Sequence, residues 1–427
     1  MSQMQTEAQN RTQRAQAIIT TAESLIAATK DTSVRQLIIE QDLEALPTIA
    51  LLPGQELRSK GARSTLTFLP DSDGLQVSAN NCVVDIDLRA SSDKRALFNS
   101  CEVTDIGRIE LRNISTVGRV QILAADKVRA GHIEINGLDI ISADTLSEVQ
   151  RPHEYGVEVL QGAFTLWNLQ PDPEVILSAN LIGLSAGRLG APVLGSGIFV
   201  GGAGEKGGRV NIQHLETEAV YIDGKIAPGT PDQISGGVFT VYGAYADVVV
   251  NHGPVVTYGT NDMALDNWGV VDRWIAKQKI LTLGASGIGF VNFGKLGELR
   301  VEAPIETYGQ GARGFNVYAG TVEVAQFDRI LTHGDGAVRV QISQPIGELR
   351  VARGIETLGG SGESLVKGKL KYLSAVALSI MPGASARSVV IEGGLKTNGK
   401  DIAPLEQHGS IDTLKISGGF VAVGDNS

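Results

Sequence analysis

From Val34 onward the chain reads as short alternating runs, among them RQLIIEQ, TIALLPG, STLTFLP, NCVVDIDL, RIELRNI and HIEINGLDII, broken by Gly, Asn, Asp and Pro. Apolar residues at every second position predict strands with one face buried and the other in water. Residues 5–29 follow a different rule. There Ala15, Ile18, Ile19, Ala22, Leu25 and Ile26 fall on one stripe at helical spacing, which predicts a helix.

Further along, the pattern becomes strictly periodic. GELRVEAPIETYG at 297–309 returns as GELRVARGIETLG at 347–359. Thr-x-Gly stands at Thr257–Gly259, Thr282–Gly284, Thr307–Gly309, Thr332–Gly334 and Thr357–Gly359, each 25 residues after the last. A sixth copy, Thr397–Gly399, follows after 40, so a segment is inserted before it. A stacked coil requires such constancy, because each turn must end above the previous one.

Alignment on the Thr yields three apolar columns. They are Val255, Ile280, Ile305, Ile330 and Ile355; Val249, Trp274, Leu299, Val324 and Leu349; and Leu265, Phe290, Phe315, Val340 and Leu365. Three columns per turn predict three short walls around one dry axis, stacked at the ~4.8 Å spacing of a parallel sheet. The Gly column is expected to supply a corner conformation that side chains resist. Pro and Gly clusters near 142–173, 183–209, 223–237 and 360–396 are expected to loop out, and loops on a rigid scaffold commonly carry function.

This arrangement resembles the right-handed parallel β-helix of the pectate-lyase-like superfamily, which includes pectate lyases, polygalacturonases, inulin fructotransferases and phage tailspikes. The likeness spans roughly residues 34–425 and rests on period and columns. It implies an all-β solenoid over 34–427, with a capping helix in 1–33 over its apolar end. It also implies chemistry on sugars and a tendency to form homo-oligomers, trimers among them. The specific signatures are absent: there is no polygalacturonase-like N-x-D, paired Asp and G-H-G trio, and HGD at 333–335 only echoes one.

Composition narrows the classes. With 42% hydrophobic and 20% charged residues, the chain can bury a large core. The net charge is −10 and the basic residues are scattered, which argues against nucleic acid as a partner. Cys82 and Cys101 sit in no ligand pattern; they read as core residues, with a disulfide as the alternative. No metal and no cofactor is expected. No apolar run approaches the ~18 residues of a membrane span, and the first residues lack the apolar stretch of an export signal. The expected compartment is the cytoplasm, with non-classical export as the alternative.

Candidate chemistry concentrates in TNDMALDNWGVVDRW, 260–274. Asp262 and Asp266 are the candidate catalytic pair, one protonating a glycosidic oxygen while the other attacks carbon or activates water. Trp268 and, two turns on, Tyr318 are candidate stacking platforms, while Arg313, Asn316 and Arg339 are candidates for orienting substrate. On this reading the wall shows solvent a vertical run of acid, amides, rings and Arg. The competing reading gives Asp and Asn to the corners and the Trp residues to the core. Asn267 and Asn292 are expected to point inward as an amide ladder. His333 and Asp335 near Arg339 form a further candidate proton-transfer group, against the plainer reading of a surface turn.

Two function classes follow. One is a carbohydrate-active β-helix acting on an oligosaccharide or polysaccharide as glycosidase, fructotransferase or lyase. The other is a non-enzymatic structural or interaction β-helix, with self-association open under both readings. An ice-binding surface made by the Thr ladder is a distant third.

Overall fold

The computed structural model describes residues 15–151, 157–230, 232–366 and 369–424. Its strands form a 26-stranded and a 15-stranded sheet of overwhelmingly parallel pairs, wound as a parallel β-helix. Each regular coil contributes a short wall (Ile280–Thr282), a middle wall (Ile288–Asn292) and a long wall (Lys295–Val301). The middle walls make up the second sheet, while the long and short walls join in the first.

The Thr file is as expected: Thr257, Thr282, Thr307, Thr332, Thr357 and Thr397 pair in unbroken register. All six are fully buried, so the ladder presents no hydroxyl surface to ice. The short-wall column Val255, Ile280, Ile305, Ile330 and Ile355 is buried to within 1%. Each such side chain contributes about 1.5–3 kcal/mol of transfer free energy.

Two columns are corrected at single positions. On the long wall Leu299 pairs with Ala325, and Val324 pairs with Glu298. The extra residue is absorbed at Gly320, whose φ of +67° marks the turn, and Ala325 then pairs with Leu349, restoring register. On the middle wall Val340 pairs with Leu378 instead of Leu365. Leu365 belongs to an antiparallel hairpin of Ser361–Val366 and Lys369–Ser374, inserted between one coil and the next.

The corner glycines are needed for a reason other than conformation. Gly259, Gly284, Gly309, Gly334 and Gly359 are absent from the positive-φ residues. A methyl group on Gly284 would instead overlap the carbonyl of Gly259, and the same clash repeats from Gly309 to Gly284, Gly334 to Gly309 and Gly359 to Gly334. Coils touch backbone to backbone at this corner, and only hydrogen fits between them.

The N-terminal helix is shorter than expected. Gln16–Ile19 is a strand paired in parallel with Gln36–Ile39, and the helix runs only from Ala22–Ala28. Ile18, Ile19, Thr20 and Thr21 are β-branched, which favours the extended form. Thr21 then starts the helix through a capping box with Ser24. Leu25 and Ala28 drop into the main core, so the helix closes the first coil. The expected stretch 5–14 lies outside the described residues.

The looped-out regions are narrower than their composition suggests. Gly162–Asn168, Ile176–Ala186 and Ser196–Gly201 are regular wall strands. Within 142–173 the departure is the pair Val149–Gln150 and Glu158–Leu160, which folds across the outside of the middle wall. Within 223–237 it ends at Gln233, where a wall strand begins. Beyond Ser374, the stretch to 396 returns to wall strands at Leu378–Ile380 and Ser385–Ile391. Cys82 and Cys101 are free thiols, partly buried, and burial raises both thiols above their ordinary range.

Candidate functional site

The seven nominated side chains all lie on or beside the middle wall, and none is open to solvent. Asp262, Asp266, Asn316 and Arg339 are 0% exposed, Trp268 and Arg313 1%, and Tyr318 6%. This corrects the expectation of a solvent-facing run. For Asp266, Trp268, Asn316 and Tyr318 the reason is a second layer of side chains outside the sheet, whereas Arg339 turns into the coil toward Thr332. Asp266 aligns with Phe239 behind it and Val291 and Asn316 ahead of it, along the outer face. Flanking rings lean over that file. Trp268 packs on Phe239 at 5.0 Å and on Phe293 at 5.6 Å, and Phe293 packs on Tyr318 at 5.3 Å. Val157, Val159 and Ile234 close the lower end.

The polar groups in this layer have structural settings, apart from the Asn316 amide, which is buried with neither end hydrogen-bonded. Asp262 accepts from the Ser235 hydroxyl at 2.6 Å and from the backbone N–H groups of Gly259 at 2.7 Å and Gly224 at 3.2 Å. Burial pushes its carboxyl up to about 7 against these donors, and nearby Asp223 adds to the rise. The acid thus ties the base of the 224–232 loop to the corner. Asp266 meets only the Trp268 indole; burial overrides that contact and raises its carboxyl well above the usual range. Burial there favours the neutral form of the acid.

Arg313 donates to the Tyr318 hydroxyl at 3.0 Å, the Leu365 carbonyl at 2.9 Å and the Ser364 hydroxyl at 2.7 Å. It is therefore the anchor of the inserted hairpin. Arg339 projects from the column otherwise filled by Ala264, Gly289 and Gly314, and it donates to the Thr332 carbonyl at 2.7 Å. Burial drives its guanidinium well below its ordinary range. The amide ladder does point inward: Asn267 donates to Asn292 at 2.8 Å, and Asn292 to the Gly294 carbonyl at 2.9 Å.

His333 and Asp335 do not pair. His333 stacks on Tyr308 at 4.0 Å and meets Glu306 at 3.0 Å, whereas Asp335 accepts from the Gly360 N–H at 2.6 Å. Burial would raise the Glu306 carboxyl, but Lys279, Tyr308 and His333 outweigh it and hold it at about 2.

An open site lies around the corner from this sealed wall. A groove of about 480 Å³ has its floor on three successive coils, at Thr260 and Asn261, Ala285 and Ser286, and Gln310. The first coil end is bounded by the loop residues Pro228, Gly229 and Thr230, and the other by Glu363, Leu365 and Leu370 of the hairpin. Asn261, at φ +57°, donates to the carbonyls of Thr230 and Gln233 and so fixes the loop. In the hairpin, Leu365 pairs with Leu370 and Glu363 with Tyr372, which sets all four on one face. Leu370 is 67% exposed and Tyr372 74%, so two large apolar side chains stand open on the face that also carries Glu363.

Of these groups Thr260 and Asn261 fall within the stretch singled out in the sequence. Gln310, Glu363, Leu370 and Tyr372 carry no motif. Their one signal was the long interval before Thr397, which marks the inserted hairpin. Among the described residues no cluster of His, Cys, Asp and Glu is arranged to hold a metal ion, and no helix is long and apolar enough to cross a membrane. No protein-family profile, curated protein or solved structure matches the chain.

Proposed function

We propose that this chain is a carbohydrate-binding β-helix that holds an oligosaccharide in the corner groove without cleaving it. The observation that carries the reading is the chemistry of the groove. Uncharged donors and acceptors from Ser286, Thr230 and Gln310 converge beside the apolar side chains of Leu365 and Leu370, and the exposed ring of Tyr372 stands next to the lining on the same hairpin face. Sugars need both kinds of surface: amides and hydroxyls for the ring hydroxyls, and a flat ring for the C–H face. The volume falls in the range of small-ligand sites, about 300–1,000 Å³.

Glycoside hydrolysis needs two carboxyl groups flanking the scissile bond. The groove offers one, Glu363, while Asp262 and Asp266 are sealed beneath other side chains. This favours binding over turnover. Resemblance of the coil to the pectate-lyase-like superfamily, many of whose members handle sugars, supports the ligand class.

The test is a panel of neutral oligosaccharides, fructans and uronates, followed by melting temperature and by chromatography of products. The reading expects at least one sugar to raise the melting temperature with no product formed. Product formation would restore a catalytic reading, and a panel with no effect would remove the sugar.

A further inference from the structure

We infer that the groove selects a short, uncharged oligosaccharide, and that Glu363 is the residue that turns acidic sugars away. The inference rests on the proposed sugar-binding reading and narrows it.

Length is limited by the two insertions. The floor covers three coils, so its outer coils are separated by about 10 Å at parallel-sheet spacing. Beyond the third coil the hairpin root stacks directly on the solenoid: the Gly336 N–H donates to the Gly360 carbonyl, and the Gly360 N–H to Asp335. At the opposite end Asn261 holds the loop by its carbonyls. A long polymer lying along the axis would meet a wall at either end.

Charge is limited by one side chain. Among the described residues the groove lining has a single acidic group, Glu363, and no basic group. Lys369 and Lys371 pair with Val366 and Ser364, which puts them on the hairpin face opposite Glu363, Leu365 and Leu370. The net charge of −10 adds to the repulsion of an acidic ligand at long range. A sugar carboxylate a few ångströms from Glu363 in water loses roughly five-fold in affinity through that contact.

Maltotriose, cellotriose and galactotriose, each beside its C6-carboxylate counterpart, are titrated calorimetrically into the full chain and into Glu363→Gln, at low and at moderate salt. Glu363 is exposed on a surface hairpin, so the variant keeps the fold, and its melting temperature checks this. The expected result is a neutral-to-acidic affinity ratio of about five or more for the native chain at low salt. That ratio collapses toward one in Glu363→Gln and shrinks with added salt in the native chain. An unchanged ratio in the variant, or a native preference for the acidic sugar, overturns the role of Glu363 while leaving sugar binding in place. Binding of none of the six sugars by the native chain overturns the sugar reading itself, and this inference with it.

Discussion

The outer face of the middle wall and the groove around the corner are built on the same coils, yet they differ in kind. On the wall, strict register stacks Phe239, Asp266, Val291 and Asn316 in one file, and the rings of Trp268, Phe293 and Tyr318 fold over it. Its polar groups are paired locally or left dry. In the groove, two breaks in the periodicity raise walls above a floor of small and uncharged residues. Periodicity builds the scaffold, and departures from it create concavity. Carboxylates on the regular surface are therefore poor guides to a site.

The comparison can be broken most severely at the corner that carries both regions. Gly284→Ala places a methyl group against the Gly259 carbonyl and should destabilise the chain by about 3 kcal/mol or more. Gly61→Ala, where the added methyl meets nothing, is the control and should leave the thermal midpoint nearly unmoved. Equal behaviour of the two would mean that the coils are not in backbone contact.

Arg313→Met comes next. It removes charged hydrogen bonds to Ser364 and Leu365, worth about 3 kcal/mol together, and releases the hairpin from the wall. Faster proteolysis between Ser361 and Ser374, with the rest of the coil still resistant, is the expected signature. Affinity for neutral sugars should fall with it, because Leu365 and Leu370 lose their place.

Asp266→Asn should act in the opposite direction. The folded-state carboxyl titrates above its unfolded value, so the native chain holds its proton more tightly than the unfolded chain. Stability contributed by this group is greatest near and below the unfolded pKa, close to 4, and declines as pH rises toward the folded value. Asp262, pushed up to about 7, contributes a decline of the same sign between about pH 4 and 7. Replacing Asp266 by the neutral amide should raise the melting temperature at pH 7 and flatten its pH dependence, as chemical denaturation across pH 4–8 would show. A lower melting temperature at pH 7 would mean that the acid is ionised and paired.

The coil itself was legible because its determinants are local and repeated. From Thr257 to Thr357 every Thr of the file and every member of the short-wall column stands where the 25-residue period puts it. Register errors arose where one residue was added and later removed, as around Gly320, since period counting cannot see a compensated bulge. The helix was overextended because Ile18 and Ile19 satisfy helical spacing, while their branched side chains and the partner strand Gln36–Ile39 favour extension. The sealed wall was illegible for another reason. Alternation tells which residues leave the core, but not whether outward rings such as Trp268 and Phe293 will lie down and cover them. Groove residues come from three coils and two insertions, and no local pattern joins them.

The central claim is that ligand is gripped by the insertions and not worked on by the wall. Its most direct test is a calorimetric titration of the best-binding oligosaccharide into the native chain, Asp266→Asn and Tyr372→Ala side by side. The account predicts that Asp266→Asn binds like the native chain, whereas Tyr372→Ala, stripped of an exposed ring, loses about ten-fold in affinity at an unchanged melting temperature. Loss of binding in Asp266→Asn, with Tyr372→Ala unaffected, would return the function to the wall and contradict it.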